Sequence, residues 1–180
     1  RASTKIEWRG LMEARAKAGV PLVIGTSCTC GADDAVDWML DITREIASEL
    51  RQSLKIAVLR CSQDTAVMST AFSDGRITPL PAAPNVTAND FATCTNIVAL
   101  AGAEQIAAAL ETDADIIIAG RTTDTASAGC RVGRHGWACR SRRARTSSSL
   151  QVVGSDAVER EERGGSGSVS GSGRDIIRKR

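Results

Sequence analysis

An arginine and an aspartate lie three residues apart directly after an apolar run, in the segment 120–125. Arg121 would offer a fixed, two-pronged donor to a carboxylate or a phosphate, and Asp124 could orient that donor or accept a proton from a substrate. The alternative is a local ion pair between the two side chains that only holds the loop together. We take Arg121 and Asp124 as the candidate catalytic residues.

Small or polar side chains follow three other apolar runs. The hydroxyl-rich segment 25–31 contains Thr26 and Ser27, and it could cradle a phosphate or carboxylate or could be a tight connection packed closely on its neighbours. Asp64 and Glu104 follow two further runs. These four residues are the candidate binding residues. None of the segments is a P-loop or a dinucleotide fingerprint, so the sequence indicates no particular cofactor.

The cysteines could suggest metal or thiol chemistry. Cys28 and Cys30 are spaced as two zinc ligands could be, and Cys28 could be a nucleophile activated by a helix N-terminus. No second cysteine pair has ligand spacing, however, and the single histidine, His135, lies in the C-terminal part of the chain. We therefore expect no metal site and neither a Cys/His nor a Ser/His/Asp hydrolase.

The elements that must position these residues are indicated by apolar runs that are continuous rather than alternating. Four such runs are present, at residues 22–24, 56–59, 97–101 and 116–119. Strands that are apolar on both faces belong in parallel sheets covered by helices. We predict an α/β fold with a mostly parallel sheet of about four strands. The ends of parallel strands meet at one edge, so Thr26, Asp64, Glu104 and Arg121 should share a rim.

The predicted covering helices follow from apolar residues at helical spacing, at residues 6–16, 38–50 and 104–111. Gly19 is placed to end the first of them, and Asp33 or Asp34 to cap the second. Thr87 followed by Asp90 predicts the cap of a further short helix.

No apolar run reaches the roughly 18 residues that a membrane span needs, and no secretion signal is present. We expect a cytoplasmic protein with no membrane partner and reduced thiols. The chain begins with Arg1 rather than Met, so we expect a fragment of a longer protein.

The charge balance divides the chain near residue 129. Residues 1–129 hold 11 Lys and Arg against 16 Asp and Glu, whereas residues 130–180 hold 12 against 5 and are rich in Gly, Ser and Arg. Such a segment cannot bury enough apolar surface to offset its chain entropy. We predict a folded domain at 1–129 and a low-complexity basic tail at 130–180, either disordered or translated out of frame. Nucleic acid is not expected as a partner, since Trp137 is the tail's single aromatic residue and no binding module is recognisable.

Three segments also carry a family resemblance: residues 19–27, 37–47 and 114–126. With 62–64, 75–80 and 102–104 in the expected order, residues 1–128 resemble an N-terminal domain fragment of the acyclic terpene utilisation (AtuA-like) family. The resemblance implies a cytosolic catabolic protein, linked in some members to the breakdown of acyclic terpenes such as citronellol through acyl-CoA intermediates.

We interpret the chain as an enzyme domain that binds a small-molecule substrate, a carboxylate or an acyl-CoA, at the strand ends. The alternative is a noncatalytic subunit that docks a partner within a catabolic complex. The reaction is not specified by the resemblance, and the oligomeric state stays open, a homo-oligomer included.

Overall fold

The structure is a computed structural model that describes residues 1–123 and 149–155. These residues form five helices and six strands. In chain order they are α1 (Ala2–Ala18), β1 (Leu22–Ile24), α2 (Asp33–Glu49), β2 (Leu54–Arg60), β3 (Ser62–Gln63), α3 (Thr65–Ser73), α4 (Ala88–Thr93), β4 (Ile97–Val98), α5 (Ala103–Leu110), β5 (Ile116–Ala119) and β6 (Ser149–Ser155).

The main sheet has the strand order β1-β5-β2-β6. Its first three strands are parallel, with Ile116 of β5 level with Leu22 of β1 on one side and with Ile56 of β2 on the other. All four residues of β5 are buried, as a strand with helices on both faces must be. The predicted α/β fold with a parallel sheet is confirmed, with three parallel strands.

The apolar run at 97–101 is not a fourth parallel strand, and that prediction was wrong. Only Ile97–Val98 is extended, and it pairs antiparallel with β3 in a separate two-stranded sheet. Ala101 then makes an isolated parallel bridge to Thr122. The physical reason lies in the burial of the run: Leu100 is 48% exposed, so this segment is not covered on both faces as β5 is.

The strand β6 was not predicted. It pairs antiparallel with β2 along its whole length, from Leu54 opposite Ser155 to Arg60 opposite Ser149. It lies in the segment that was predicted to be a disordered tail. Leu150 and the β-branched residues after it favour a strand, but the Gly-, Ser- and Arg-rich composition of the segment as a whole favoured disorder. The other residues of 124–180 lie outside the described part of the chain, so the domain boundary near residue 129 stays a prediction.

The core consists of two layers, one on each face of the sheet. On one face α1 and α2 pack with alternate residues of the strands, including Met12, Ile46 and Ile118. On the other face α5 packs, through Ile106 and Ala109, on the intervening strand residues. The alternation follows from the period of two along a strand. The sheet is therefore held between helices, and its strand ends remain free to carry polar residues.

The helix ends agree only partly with the sequence signals. Gly19 ends α1 in the left-handed conformation (φ 66°), and its N–H donates to the Arg15 carbonyl, as predicted. Thr87 and Asp90 form the expected capping box of α4. The predicted cap of α2 was wrong, because Ala32 occupies the cap position and Asp33 is already helical.

Candidate functional site

The connections that follow β1, β5 and β2 meet at the carboxyl edge of the sheet. We call residues 25–31, 120–123 and 61–64 together the strand-end rim. Backbone hydrogen bonds join its parts: the Ser27 N–H donates to the carbonyls of Ala119 (3.1 Å) and Gly120 (2.9 Å), and the Gly120 N–H donates to the Leu59 carbonyl (2.8 Å). The parallel sheet therefore brings the three connections into direct contact.

Two glycines allow the first two connections to touch. A Cβ added to Gly31 would lie 2.4 Å from the Gly120 carbonyl oxygen, and Gly31 has φ +70°. A Cβ added to Gly120 would lie 2.6 Å from the Gly31 carbonyl oxygen and 3.1 Å from the Cβ of Cys61. The small residues predicted at 25–31 thus serve close packing at this point.

Thr26 and Ser27 differ in what their hydroxyls do. Ser27 is fully buried, and its Oγ donates to the Ala119 carbonyl at 2.8 Å, so that the hydroxyl fastens the loop to β5. Thr26 is half-buried, and its Oγ1 lies 3.5 Å from both the carbonyl oxygen and the nitrogen of Thr122. These are long contacts. The Thr26 hydroxyl could therefore give up these contacts and bind a ligand more readily than the Ser27 hydroxyl could.

Arg121 projects from a firmly held backbone. Its carbonyl accepts from the Ala101 N–H at 2.9 Å, and the next residue, Thr122, is buried with its hydroxyl donating to the Gly25 carbonyl. The side chain is exposed, and its Nη1 donates to the Thr29 carbonyl at 3.2 Å. No carboxylate within residues 1–123 pairs with it.

Asp124 lies outside the described residues. Its role as acid or base, and the alternative of an ion pair with Arg121, stay predictions.

Glu104 and Asp64 relate differently to this rim. Glu104 is in the first turn of α5, which begins just after Ala101, and Ala101 accepts from the Thr123 N–H at 3.2 Å. The start of α5 thus adjoins the segment that carries Arg121. Asp64 is the N-cap of α3, where its Oδ1 accepts from the Val67 N–H at 2.9 Å. Its hydrogen bonds are made within its own helix, so Asp64 has a structural role as a helix cap in addition to its predicted role in ligand binding.

Asp33 connects two parts of the strand-end rim through hydrogen bonds that were not predicted from the sequence. Its Oδ1 accepts from the backbone N–H groups of Cys61 (3.2 Å) and Ser62 (3.1 Å), and its own N–H donates to the Ser62 hydroxyl (3.0 Å). The carboxylate therefore ties the start of α2 to the end of β2. An Asp before a helix signals a cap, and nothing local reveals partners 28 and 29 residues away.

The thiols at the rim are unlike one another. Cys61 is fully buried, and this burial raises the pKa of its thiol, which keeps the group protonated and poorly nucleophilic. Cys28 and Cys30 are exposed. Within the part of the chain that the structure describes, no group of His, Cys, Asp and Glu side chains could hold a metal ion.

A cavity of about 440 Å³ lies beside the rim, between α1, β1 and α2. Its walls include Trp8, Leu11, Ile24 and Trp38, and it reaches the rim at Cys28. The cavity could not be predicted from the sequence, because most of its lining residues are spread over three elements and resemble ordinary core residues in each.

Comparison with known proteins gives a family match. The family model described as acyclic terpene utilisation family protein AtuA matches residues 27–150, which is more than half of the chain and includes most of the strand-end rim. No curated protein and no solved structure matches the chain. Among the described residues, no helix has both the length and the apolar character that crossing a membrane requires.

Proposed function

We propose, on the premise that this chain belongs to the acyclic terpene utilisation family AtuA, that it is the ligand-binding part of a cytoplasmic catabolic enzyme. Its ligand is a carboxylate or an acyl-CoA thioester, bound at the strand-end rim. Arg121 holds the anionic or carbonyl end of this ligand. Asp124 is the acid or base that handles a proton next to it.

The state of the Arg121 side chain is the observation that supports this proposal. A guanidinium has five N–H donors, and the only acceptor that it meets within residues 1–123 is the neutral Thr29 carbonyl at 3.2 Å. Its backbone is fixed by the Ala101 hydrogen bond and by the buried Thr122 beside it. An exposed cation on a fixed backbone can bind a carboxylate or phosphate without ordering the backbone, so that only the side chain loses conformational freedom.

The surroundings of Arg121 favour an anion further. The Thr26 hydroxyl lies 3.5 Å from the nitrogen of Thr122, the residue after Arg121, and the Thr122 hydroxyl donates to the Gly25 carbonyl of the same loop. The protonated Cys61 thiol lies 3.5 Å from the Arg121 carbonyl and adds no negative charge. Glu104, in the first turn of α5, would help to orient a ligand amide or hydroxyl rather than an anion.

The test is ligand binding by the full chain and matched arginine variants. Thermal unfolding is measured with free CoA, with acyl-CoA thioesters of branched acids and with the free acids, and affinities are taken from calorimetry. Hydrogen bonds to a charged group contribute about 1.5–3 kcal/mol, so Arg121→Ala should weaken binding roughly 10- to 150-fold. Arg121→Lys should recover part of the loss, because it restores the charge without the fork.

Arg44→Ala is the matched control, since Arg44 is an exposed arginine of α2 outside the rim. It should bind as the unchanged protein does, and Asp124→Asn should bind while losing any turnover. Absence of a thermal shift with every thioester and acid would contradict the proposal. Purification of the chain with a protein partner, together with no ligand response, would favour the noncatalytic-subunit alternative instead.

A further inference from the structure

We infer that the cavity between α1, β1 and α2 holds the hydrocarbon chain of a ligand whose carboxyl or thioester end lies at the strand-end rim. The inference rests on the proposed function for its head group. The cavity itself is a separate feature of the fold and can be tested without a carboxylate.

The size and lining of the cavity suit an aliphatic chain. Its volume of about 440 Å³ falls within the usual range of small-molecule pockets. Leu22 and Ile24 of β1 form its floor, Trp8 and Leu11 of α1 one wall, and Trp38 of α2 the other. Such a surface binds hydrocarbon by removing it from water.

The charge within the lining decides which end of a ligand enters. Among the described residues that line the cavity, Thr4, Glu7 and Cys28 have short polar side chains, and Glu7 carries the one carboxylate. The described lining residues include no Lys or Arg, so a carboxylate inside the cavity would lose its hydration without gaining a cationic partner, whereas a hydrocarbon chain is stabilised by leaving water. An acid or thioester would therefore enter by its hydrocarbon end and leave its head group outside.

The direction of the helix places the mouth of the cavity at the rim. α1 ends at Ala18 and β1 begins at Leu22, so the chain reverses within a few residues at Gly19. Helix and strand thus run in opposite directions, and the start of α1, with Thr4, lies beside the carboxyl end of β1. Gly25 and Cys28, which line the cavity there, belong to the same loop as Thr26. The cavity therefore extends to the loop of the strand-end rim that carries Thr26.

One wall of the cavity is only partly covered by the described residues. Leu11 is 49% exposed although it lines the cavity, and β1 is an edge strand of the main sheet among the described residues. A bound chain would cover the Leu11 side chain. The other way to cover it is an extended segment from a second copy, paired with the edge of β1, and the experiment separates the two.

The probe for the cavity is a series of 1-alkanols of increasing length, which lack any carboxyl group. The readout is alkylation by iodoacetamide, followed peptide by peptide with mass spectrometry. Cys28 lines the cavity, and Cys30, two residues away and also exposed, does not. Alkanols should slow alkylation of Cys28 and leave Cys30 unchanged. The protecting concentration should fall about fourfold with each added methylene until the cavity is full.

A cavity-filling variant and its matched control complete the test. Leu11→Trp places an indole at the cavity wall and should abolish protection of Cys28 by alkanols. Ile6→Trp puts the same side chain on the same helix at a position that is 72% exposed and outside the lining, and it should behave as the unchanged protein. Equal protection of both cysteines, or protection that survives in Leu11→Trp, would overturn the inference.

The outcomes distinguish this inference from the proposed function. Arg121→Ala should weaken acyl-CoA binding without changing protection by alkanols. Acyl-CoA binding that is indifferent to chain length and to Leu11→Trp would remove the cavity from the ligand site and leave the rim in place. Protection by alkanols with no acyl-CoA or acid binding would refute the proposed function and the head-group part of this inference, and would leave the cavity as a hydrocarbon-binding site. Self-association that Leu11→Trp abolishes, without alkanol protection, would assign the surface to a second copy and overturn the inference.

Discussion

Replacement of Gly31 by alanine tests the close contact that joins two connections of the strand-end rim. In Gly31→Ala the new methyl group would lie 2.4 Å from the Gly120 carbonyl oxygen, which is backbone and cannot rotate away. The residue would also keep a positive φ of 70°, which an L-residue adopts only at a cost. Gly19→Ala shares the positive φ, at 66°, but its Cβ would have no heavy atom within 4 Å.

The two variants separate the steric effect from the backbone effect. The left-handed conformation costs alanine about 1–2 kcal/mol relative to glycine, and this applies at both positions. Overpacking adds about 1–3 kcal/mol at Gly31. We therefore expect Gly31→Ala to lower the free energy of unfolding by about 2–5 kcal/mol and Gly19→Ala by about 1–2 kcal/mol.

The assay is urea unfolding of the full chain, followed by tryptophan fluorescence and by circular dichroism. With a slope of about 1–3 kcal/mol per molar urea, the midpoint of Gly31→Ala should fall at least about 0.3 M below that of Gly19→Ala. Equal midpoints for the two variants would refute the reasoning, since they would show that the connections need not touch. The ligand affinity of Gly31→Ala should also fall, because the contact fixes the segment that carries Arg121.

Three further predictions concern single interactions. The buried Trp8 Nε1–H donates to the Thr43 hydroxyl at 2.8 Å, and Thr43→Val leaves it without this acceptor. The variant should therefore lower the free energy of unfolding, measured in urea, by about 1–3 kcal/mol. The side chain of Lys5 lowers the pKa of Glu45, so the stabilisation by Glu45 is present at neutral pH and is lost as the pH falls through that lowered value. Glu45→Gln should therefore be less stable than the unchanged protein near neutral pH, and thermal unfolding curves of the two should converge in acid. Asp64→Ala should lower the free energy of unfolding by about 1 kcal/mol through loss of the α3 cap, whereas Asp64→Ser should keep the stability in the same assay. If Asp64→Ser is as stable as the unchanged protein but binds the ligand more weakly, the Asp64 carboxylate takes part in binding.

The parallel strands could be predicted from sequence because their residues are buried on both faces. The runs that became β1, β2 and β5 are continuous and apolar, and the sheet confirms them. The run at 97–101 has the same character in the sequence, but Leu100 is 48% exposed and only Ile97–Val98 is extended. Apolar character alone does not report whether a helix covers the second face of a strand.

The side chains of the rim were less predictable than the strands that bring them there. Polar residues after a parallel strand lie at its carboxyl edge, so Thr26 and Arg121 could be placed together from the order of the elements. What each side chain contacts depends on residues far away in the chain. Asp33 bonds to the backbone of Cys61 and Ser62, and the Ser27 hydroxyl donates to Ala119, contacts that no local pattern encodes.

The position of β5 in the sheet has a consequence for biosynthesis. β1 and β2 do not pair with each other, and each is hydrogen-bonded to β5, which is the last of the three to leave the ribosome. A nascent chain that ends before Ile116 would therefore have two apolar strands and no partner between them, a state that invites association with other chains. Productive folding must wait for the central strand to emerge. Chaperone capture of the growing polypeptide should accordingly be strongest just before that point.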